Sequence, residues 1–248
     1  MIVLKSPAEI DKMRLPGRMV AEILAGLQEI VKPGVSLIEL DQFAERETRK
    51  RKAVPAFKGY SGYPYSLCCS VNEQVVHGMP SERVLVTGDI VSLDYGVIYG
   101  GFYGDAAVTL PVGKISETAT RLLAATRESL DAAIAAAIVG NRLSDISHAV
   151  QSYVEARGFS VVRDFVGHGI GKELHEGPQI PNFGAPGKGP KLRAGMVLAI
   201  EPMINEKGFD VRVLKDGWTA VTCDGGLSAH FEHTVAVTER GPQILTTL

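Results

Sequence analysis

The stretch "SLDYGVIYGGFYGDA", Ser92 to Ala106, holds two β-rich runs around Tyr99 and Gly100, and each run carries one aspartate. With Tyr99-Gly100 as a two-residue turn, Ile98 pairs with Gly101 and Asp94 falls opposite Asp105. Directly opposed residues on adjacent strands have Cβ atoms about 4.5–5.5 Å apart, and like charges so placed destabilise a sheet. An apolar hairpin with two facing carboxylates needs a reason from outside the hairpin.

Outward from this stretch, helix and strand signals alternate in blocks. "SPAEIDKMRLPGRMVAEILAGLQEIV" opens with Ser6 as N-cap, Pro7 at the first helical position and Glu9 closing a capping box, with a kink expected at Pro16-Gly17. "SLIELDQFAERETRKR" reads as a second amphipathic helix capped by Ser36, and "YSLCCSVNEQVVHG" leads into the acidic hairpin as strand. Helix returns from Ser116 to about Val139 and from Leu143 to Arg157. Strands follow in "FSVVRDFVGHG", "GMVLAIEPMI", "DVRVLKDGWTAVTCD" and "AHFEHTVAVT".

Helix, helix, strands therefore occurs twice. "KPGVSLIELDQF" lies on "VGNRLSDISHAV", matching Gly34 to Gly140 and Leu37 to Leu143, and "VTGDIVSLDYG" lies on "LRAGMVLAIEP" at nearly the same offset, bringing Asp94 close to Glu201. These matches predict one α/β domain with pseudo-repeat halves at about 1–113 and 114–248, its antiparallel strands covered by helices.

Bulk properties narrow the function. The 248 residues are 45% hydrophobic with a net charge of −2, enough for a sizeable core and without the basic field that nucleic acid requires. The apolar run in "MIVLKSPAEIDKM" is too short for a signal peptide, and "AAIAAAIVG" is too short to cross a bilayer. Cys68, Cys69 and Cys223 suit neither a disulfide framework nor a zinc knuckle. A cytoplasmic protein without membrane or dedicated nucleic-acid contacts is expected, and a monomer.

A duplicated fold predicts a second acidic pair. Asp216-Gly217 reads as a type I′ hairpin turn, and pairing extended outward from it brings Glu201 level with Glu232. Four clustered carboxylates cannot all stay ionised in a partly buried site unless cations neutralise them. An oxygen-rich site with one imidazole suits Mn, Fe, Co or Zn, and carboxylates can bridge two ions about 3.5–4 Å apart. Strand-end histidines beside glycine, His77 in "QVVHGMP" with His168 and His175 in "VGHGIGKELHEGP", are the imidazole candidates. His148 on a helix is set aside, as are His230 and His233, which flank Glu232. A phosphate-loop reading of "GHGIG" is weak, because the Walker lysine-serine pair and the full dinucleotide fingerprint are lacking and no helix of adequate length follows before Pro178.

Asp94 and Asp105, His168 in "GHGIGKELHEGP", Glu201 in "AIEPMI" and Glu232 in "FEHTVAVT", together with "SVNEQVVHGMP" and "KDGWT", resemble the motifs of the methionine aminopeptidases, in order and across the whole chain. The resemblance implies the pseudo-symmetric pita-bread fold, two divalent ions (Co, Mn, Fe or Zn) and removal of N-terminal methionine from nascent proteins with a small second residue. By that likeness Asp94, Asp105, His168, Glu201 and Glu232 are the metal ligands. Glu201 is also the proton shuttle, His175 stabilises the scissile carbonyl, and His77 positions the residue after methionine. The methionine pocket would comprise Tyr60, Tyr63, Cys68 and Trp218 with Phe57 and Leu174. Cys68 is preferred to Cys69 because strand neighbours point to opposite faces. The interval from Glu201 to Glu232 has no room for the helical insertion of the type II enzymes, so the chain resembles the short bacterial type I form, expected to start at its first catalytic helix without a zinc-finger extension. Transient association with the ribosome follows from that family role.

Two rivals share this fold. Prolidases and X-Pro aminopeptidases use the same ligands with an added N-terminal domain, and non-catalytic binding relatives usually lose ligands that are all present here.

Overall fold

A computed structural model describes residues 2–248. Ser6 caps the first helix, α1 (Pro7–Ile30), reciprocally: its hydroxyl accepts from the Glu9 amide while the Glu9 carboxylate accepts from the Ser6 amide at 2.9 Å. The helix continues through Pro16 and Gly17 without a break at the expected kink. These two buried residues sit directly on a neighbouring strand: a Cβ on Gly104 would stand 2.7 Å from the Gly17 nitrogen, and one on Gly17 would stand 2.4 Å from the Leu245 carbonyl oxygen. Only glycine permits so close a seat.

After α2 (Leu37–Lys50) come β1 (Val54–Pro55), β2 (Cys68–Val71), β3 (Ile90–Tyr99) and β4 (Phe102–Pro111). The second half has α3 (Glu117–Ala136) and α4 (Leu143–Glu155), then β5 (Ser160–Val161), β6 (Gly167–Gly169), β7 (Glu176–Ile180) and β8 (Val197–Ile200). It closes with β9 (Met203–Asn205), β10 (Val211–Val213), β11 (Ala220–Thr222), β12 (Ser228–His230), β13 (Glu232–Thr238) and β14 (Gly241–Ile244). Helix α3 stops short of Val139, since the Asn141 side chain donates to the Ala136 carbonyl at 2.9 Å and occupies an end carbonyl.

The main sheet runs β1-β3-β4-β13-β8-β6-β7, with β2 also on β3 and β14 also on β13, and every pairing in it is antiparallel. Leu93, Tyr95 and Val97 pack with Leu24, Leu27 and Leu40 of α1 and α2. Leu198, Ile200, Val235 and Val237 pack with Leu122, Leu130 and Ile146 of α3 and α4. Strand alternation then puts Asp94, Glu201 and Glu232 on the face away from the helices.

The halves repeat their backbone chemistry. Gly34, at φ 95°, donates to the Leu85 carbonyl, and Gly140, also at φ 95°, donates to the Leu192 carbonyl. Leu37 donates to Arg83 and Leu143 to Pro190, as each half's second helix docks on the loop before its strand. The turns entering β3 and β8 use Gly88 at φ 104° and Gly195 at φ 94°.

Two expectations are corrected. The β3–β4 turn is Gly100-Gly101, at φ 60° and 79°, rather than Tyr99-Gly100. A type I′ two-residue turn needs positive φ at both central residues, which two glycines adopt freely and a tyrosine does not. The register moves accordingly: Asp94 pairs with Ala107 and Asp105 with Gly96, so the aspartates are diagonal neighbours on one face instead of directly opposed. Asp216 likewise does not form a two-residue turn with Gly217. Leu214 donates to Thr219 across a four-residue loop, and the Asp216 carboxylate accepts from the Trp218 and Thr219 amides.

The longer extrapolation from that turn fares better. Val213 pairs with Ala220, Asn205 with Ser228, Met203 with His230, and Ile200 with His233, so one register runs through all three ladders without net slippage. Its next rung beyond Ile200 and His233 sets Glu201 beside Glu232.

Candidate metal centre

The two halves meet where β4 and β13 pair, and they do so over only two rungs, Ala107 with Glu232 and Ala106 with His233. Beyond each rung a threonine hydroxyl replaces the strand partner. Thr234 accepts from the Asp105 amide at 3.1 Å and donates to the Asp105 carbonyl at 2.7 Å. Thr109 accepts from the His230 amide and donates to the His230 carbonyl, both at 2.8 Å. The strands splay, and Asp105, His230 and Glu232 are fixed by backbone at the seam.

A cavity of about 310 Å³ opens over this seam and is lined by Asp94, Asp105, His168, Glu201 and Glu232. Ligand atoms of Asp105, His168 and Glu232 lie within 4.8 Å of one another. His168 Nε2 is 3.6 Å from Glu201 Oε1. His168 Nδ1 is 2.9 Å from the Gly169 carbonyl, which can only accept, so Nδ1 carries the proton and Nε2 keeps a free lone pair. The Asn182 amide donates to the Glu201 carbonyl at 2.9 Å and anchors that residue just past the end of β8.

Burial dominates the electrostatics. Desolvation pushes Asp94 up to about 7 and Glu201 up to about 8, and lifts Asp105 and Glu232 well above the carboxylate range, with neighbouring carboxylates adding to the rise at Asp105 and Glu232. The same burial lowers His168 and His77 to about 4. Buried oxygens of Asp94, Asp105 and Glu232 have no hydrogen-bond partner among the described residues. Unpartnered carboxylate oxygens beside a neutral imidazole are the donor set of a divalent cation, so these residues fit a metal centre.

The other expected residues line the same cavity. Phe57, Tyr60, Tyr63, Cys68, Leu174 and Trp218 surround its apolar part. Cys68 pairs with Asp94 across β2 and β3 and faces the cavity, whereas Cys69 points into the core behind the sheet. Burial pushes the Cys68 thiol well up, which leaves it a neutral, polarisable wall. Gly96 has no Cβ to meet Phe57, whose ring would lie 2.8 Å from one. Tyr63 Oη lies 3.1 Å from the Leu67 and Gly78 carbonyls. Tyr60 Oη and His175 Nδ1 are 2.7 Å apart, and the His175 and His168 rings are 4.3 Å apart. His77 has φ 59°, a left-handed conformation uncommon outside glycine, and packs edge-on to Phe165 and Trp218.

Sequence reading missed three neighbours. Phe165 and Met203 also line the cavity. His230, set aside at first, is buried with its Nε2 3.4 Å from Glu201 Oε2. Its spacing of two from Glu232 was the available signal, because alternate strand residues share a face.

Metallopeptidase family M24 matches residues 11–239. The chain is 57% identical over 246 residues to a methionine aminopeptidase of Clostridium perfringens, covering 99% of each, and 54% identical to methionine aminopeptidase 1 of Bacillus subtilis, again covering 99% of each. Its structure is similar to the crystal structure of a methionine aminopeptidase from Thermotoga maritima, with a TM-score of 0.98, 51% identity and 100% of both chains covered.

Proposed function

The chain belongs to metallopeptidase family M24 and is an aminopeptidase that removes N-terminal methionine, and we propose how its residues carry out that hydrolysis. The observation that carries the reading is the set of unpartnered, buried carboxylate oxygens beside the free His168 Nε2. Asp94, Asp105, His168, Glu201 and Glu232 would hold two divalent ions, from among Mn, Fe, Co and Zn. Such ions supply Lewis acidity and lower the pKa of water, so that a nucleophile forms near neutral pH.

Glu201 is the proton carrier. Its backbone is pinned by Asn182, and as a carboxylate beside the ions it can take a proton from attacking water and return it to the leaving amine. His175 faces the carbonyl. With the Tyr60 hydroxyl donating to Nδ1, its Nε2 keeps a proton and can donate to the oxygen as that oxygen gains charge. Burial lowers the His175 imidazole as well, so the donor is neutral. His77, in its left-handed conformation and packed edge-on against Phe165 and Trp218, positions the second residue of the substrate.

Phe57, Tyr63, Cys68, Leu174 and Trp218 form an apolar socket suited to an unbranched thioether. A small second residue is preferred because Phe165 and Trp218 crowd His77. The metal-loaded enzyme, offered Met-Ala-Ser, Met-Pro and Ala-Pro peptides, is expected to release methionine fastest from Met-Ala-Ser. Faster cleavage of an X-Pro bond where X is not methionine would overturn the reading.

A further inference from the structure

His230 has no task in the hydrolysis above, yet it is buried and held by its backbone beside Glu201. Its imidazole has 1% of its surface exposed, and its amide and carbonyl are both held by the Thr109 hydroxyl. Thr109 is itself held by Ser92, at 2.8 Å. His230 Nε2 is buried without a hydrogen-bond partner among the described residues.

Glu201 has an imidazole nitrogen beside each of its oxygens. His168 Nε2 stands 3.6 Å from Oε1 and His230 Nε2 stands 3.4 Å from Oε2. Neither contact is an aligned hydrogen bond. Two donors each about 2.1 Å from one tetrahedral ion stand about 3.4 Å apart, so both spacings suit a nitrogen and an oxygen turned towards a shared cation. The ligand atoms of Glu201, His230 and Glu232 also lie within 4.8 Å of one another, the same closeness found for Asp105, His168 and Glu232.

We propose that His230 is a sixth protein ligand of the metal centre, its Nε2 sharing a divalent ion with Glu201 and Glu232. The inference rests on the metallopeptidase reading and deepens it. A second imidazole moves the donor set away from pure oxygen chemistry and favours Fe, Co or Zn over Mg or Ca. A hydrogen bond from His230 to Glu201 would instead make it a positioning residue, and the misaligned contact argues against that.

X-ray absorption on the cobalt-loaded enzyme counts imidazole rings by their outer-shell scattering. With two ions per chain, ligation by both His168 and His230 gives about one imidazole per ion, against about one half if His168 acts alone. The wild-type count decides the matter without any variant. His230→Gln, which keeps an amide nitrogen near the same place, is expected to halve the count and weaken cobalt binding at least tenfold in a calorimetric titration. His168→Gln is expected to leave an imidazole signal behind. A wild-type count near one half, unmoved by His230→Gln, would overturn the proposal while leaving the metallopeptidase reading intact. Failure of the wild type to take up cobalt would defeat that reading, and this inference with it.

Discussion

Glu201 concentrates the chemistry of the site in one side chain. It has an imidazole beside each oxygen, its peptide oxygen is held by Asn182, and burial holds its carboxyl near neutrality. Glu201→Gln keeps the shape and removes the proposed proton carrier. Its kcat on Met-Ala-Ser should fall by about 10²–10⁴ while its melting temperature stays within a few degrees of the parent. Activity within fivefold of the parent would remove Glu201 from the proton pathway. At this scale the sequence is most informative where strand parity speaks: Cys68 shares a face with its partner Asp94, and Cys69 does not. His230 obeys the same parity with Glu232, but a histidine beside an acid reads first as tuning. Only its burial and its missing partner, which are tertiary facts, set it apart.

Between elements, the decisive feature is the two-rung seam of β4 and β13 with a threonine at each end. Thr234→Val preserves volume but leaves the buried Asp105 amide and carbonyl without their partner. It should cost about 1–3 kcal/mol in denaturant unfolding and weaken metal binding as well, since Asp105 loses its anchor. Unchanged stability with unchanged metal affinity would show that the clamp is dispensable. The seam was not legible in the sequence, because neither half contains both of its sides. Register was legible only in part. It survives from Leu214 and Thr219 out to Ile200 and His233 because each ladder continues the last. At the first hairpin it failed by one residue of turn, since positive φ decides between Tyr99-Gly100 and Gly100-Gly101, and the next glycine along is as good a candidate by composition.

Over the whole molecule, the pseudo-repeat was readable because glycines with fixed backbone tasks, Gly34 with Gly140 and Gly88 with Gly195, recur at nearly constant spacing. Among the described residues no helix is long and apolar enough to cross a membrane. The buried acids give the folded chain a distinctive pH response. Without bound ions, Asp94 and Glu201 titrate near 7 and 8, above their unfolded values, so the folded state retains protons that the unfolded state has released, and stability falls as pH rises through that window. His77 and His168, lowered to about 4, oppose this only below about 6.5, where unfolded imidazoles begin to protonate. The melting temperature of chelator-treated protein should therefore drop between about pH 6.5 and 8, and a saturating divalent ion should abolish the drop. A flat or rising metal-free profile over that range would contradict the electrostatics of the site. The most direct test of the metal centre is a manganese titration of chelator-treated enzyme, following bound ion and methionine release from Met-Ala-Ser in the same sample. The geometry predicts uptake approaching two ions per chain, with activity appearing as they bind; a chain that binds no divalent ion and leaves the peptide uncut would contradict it.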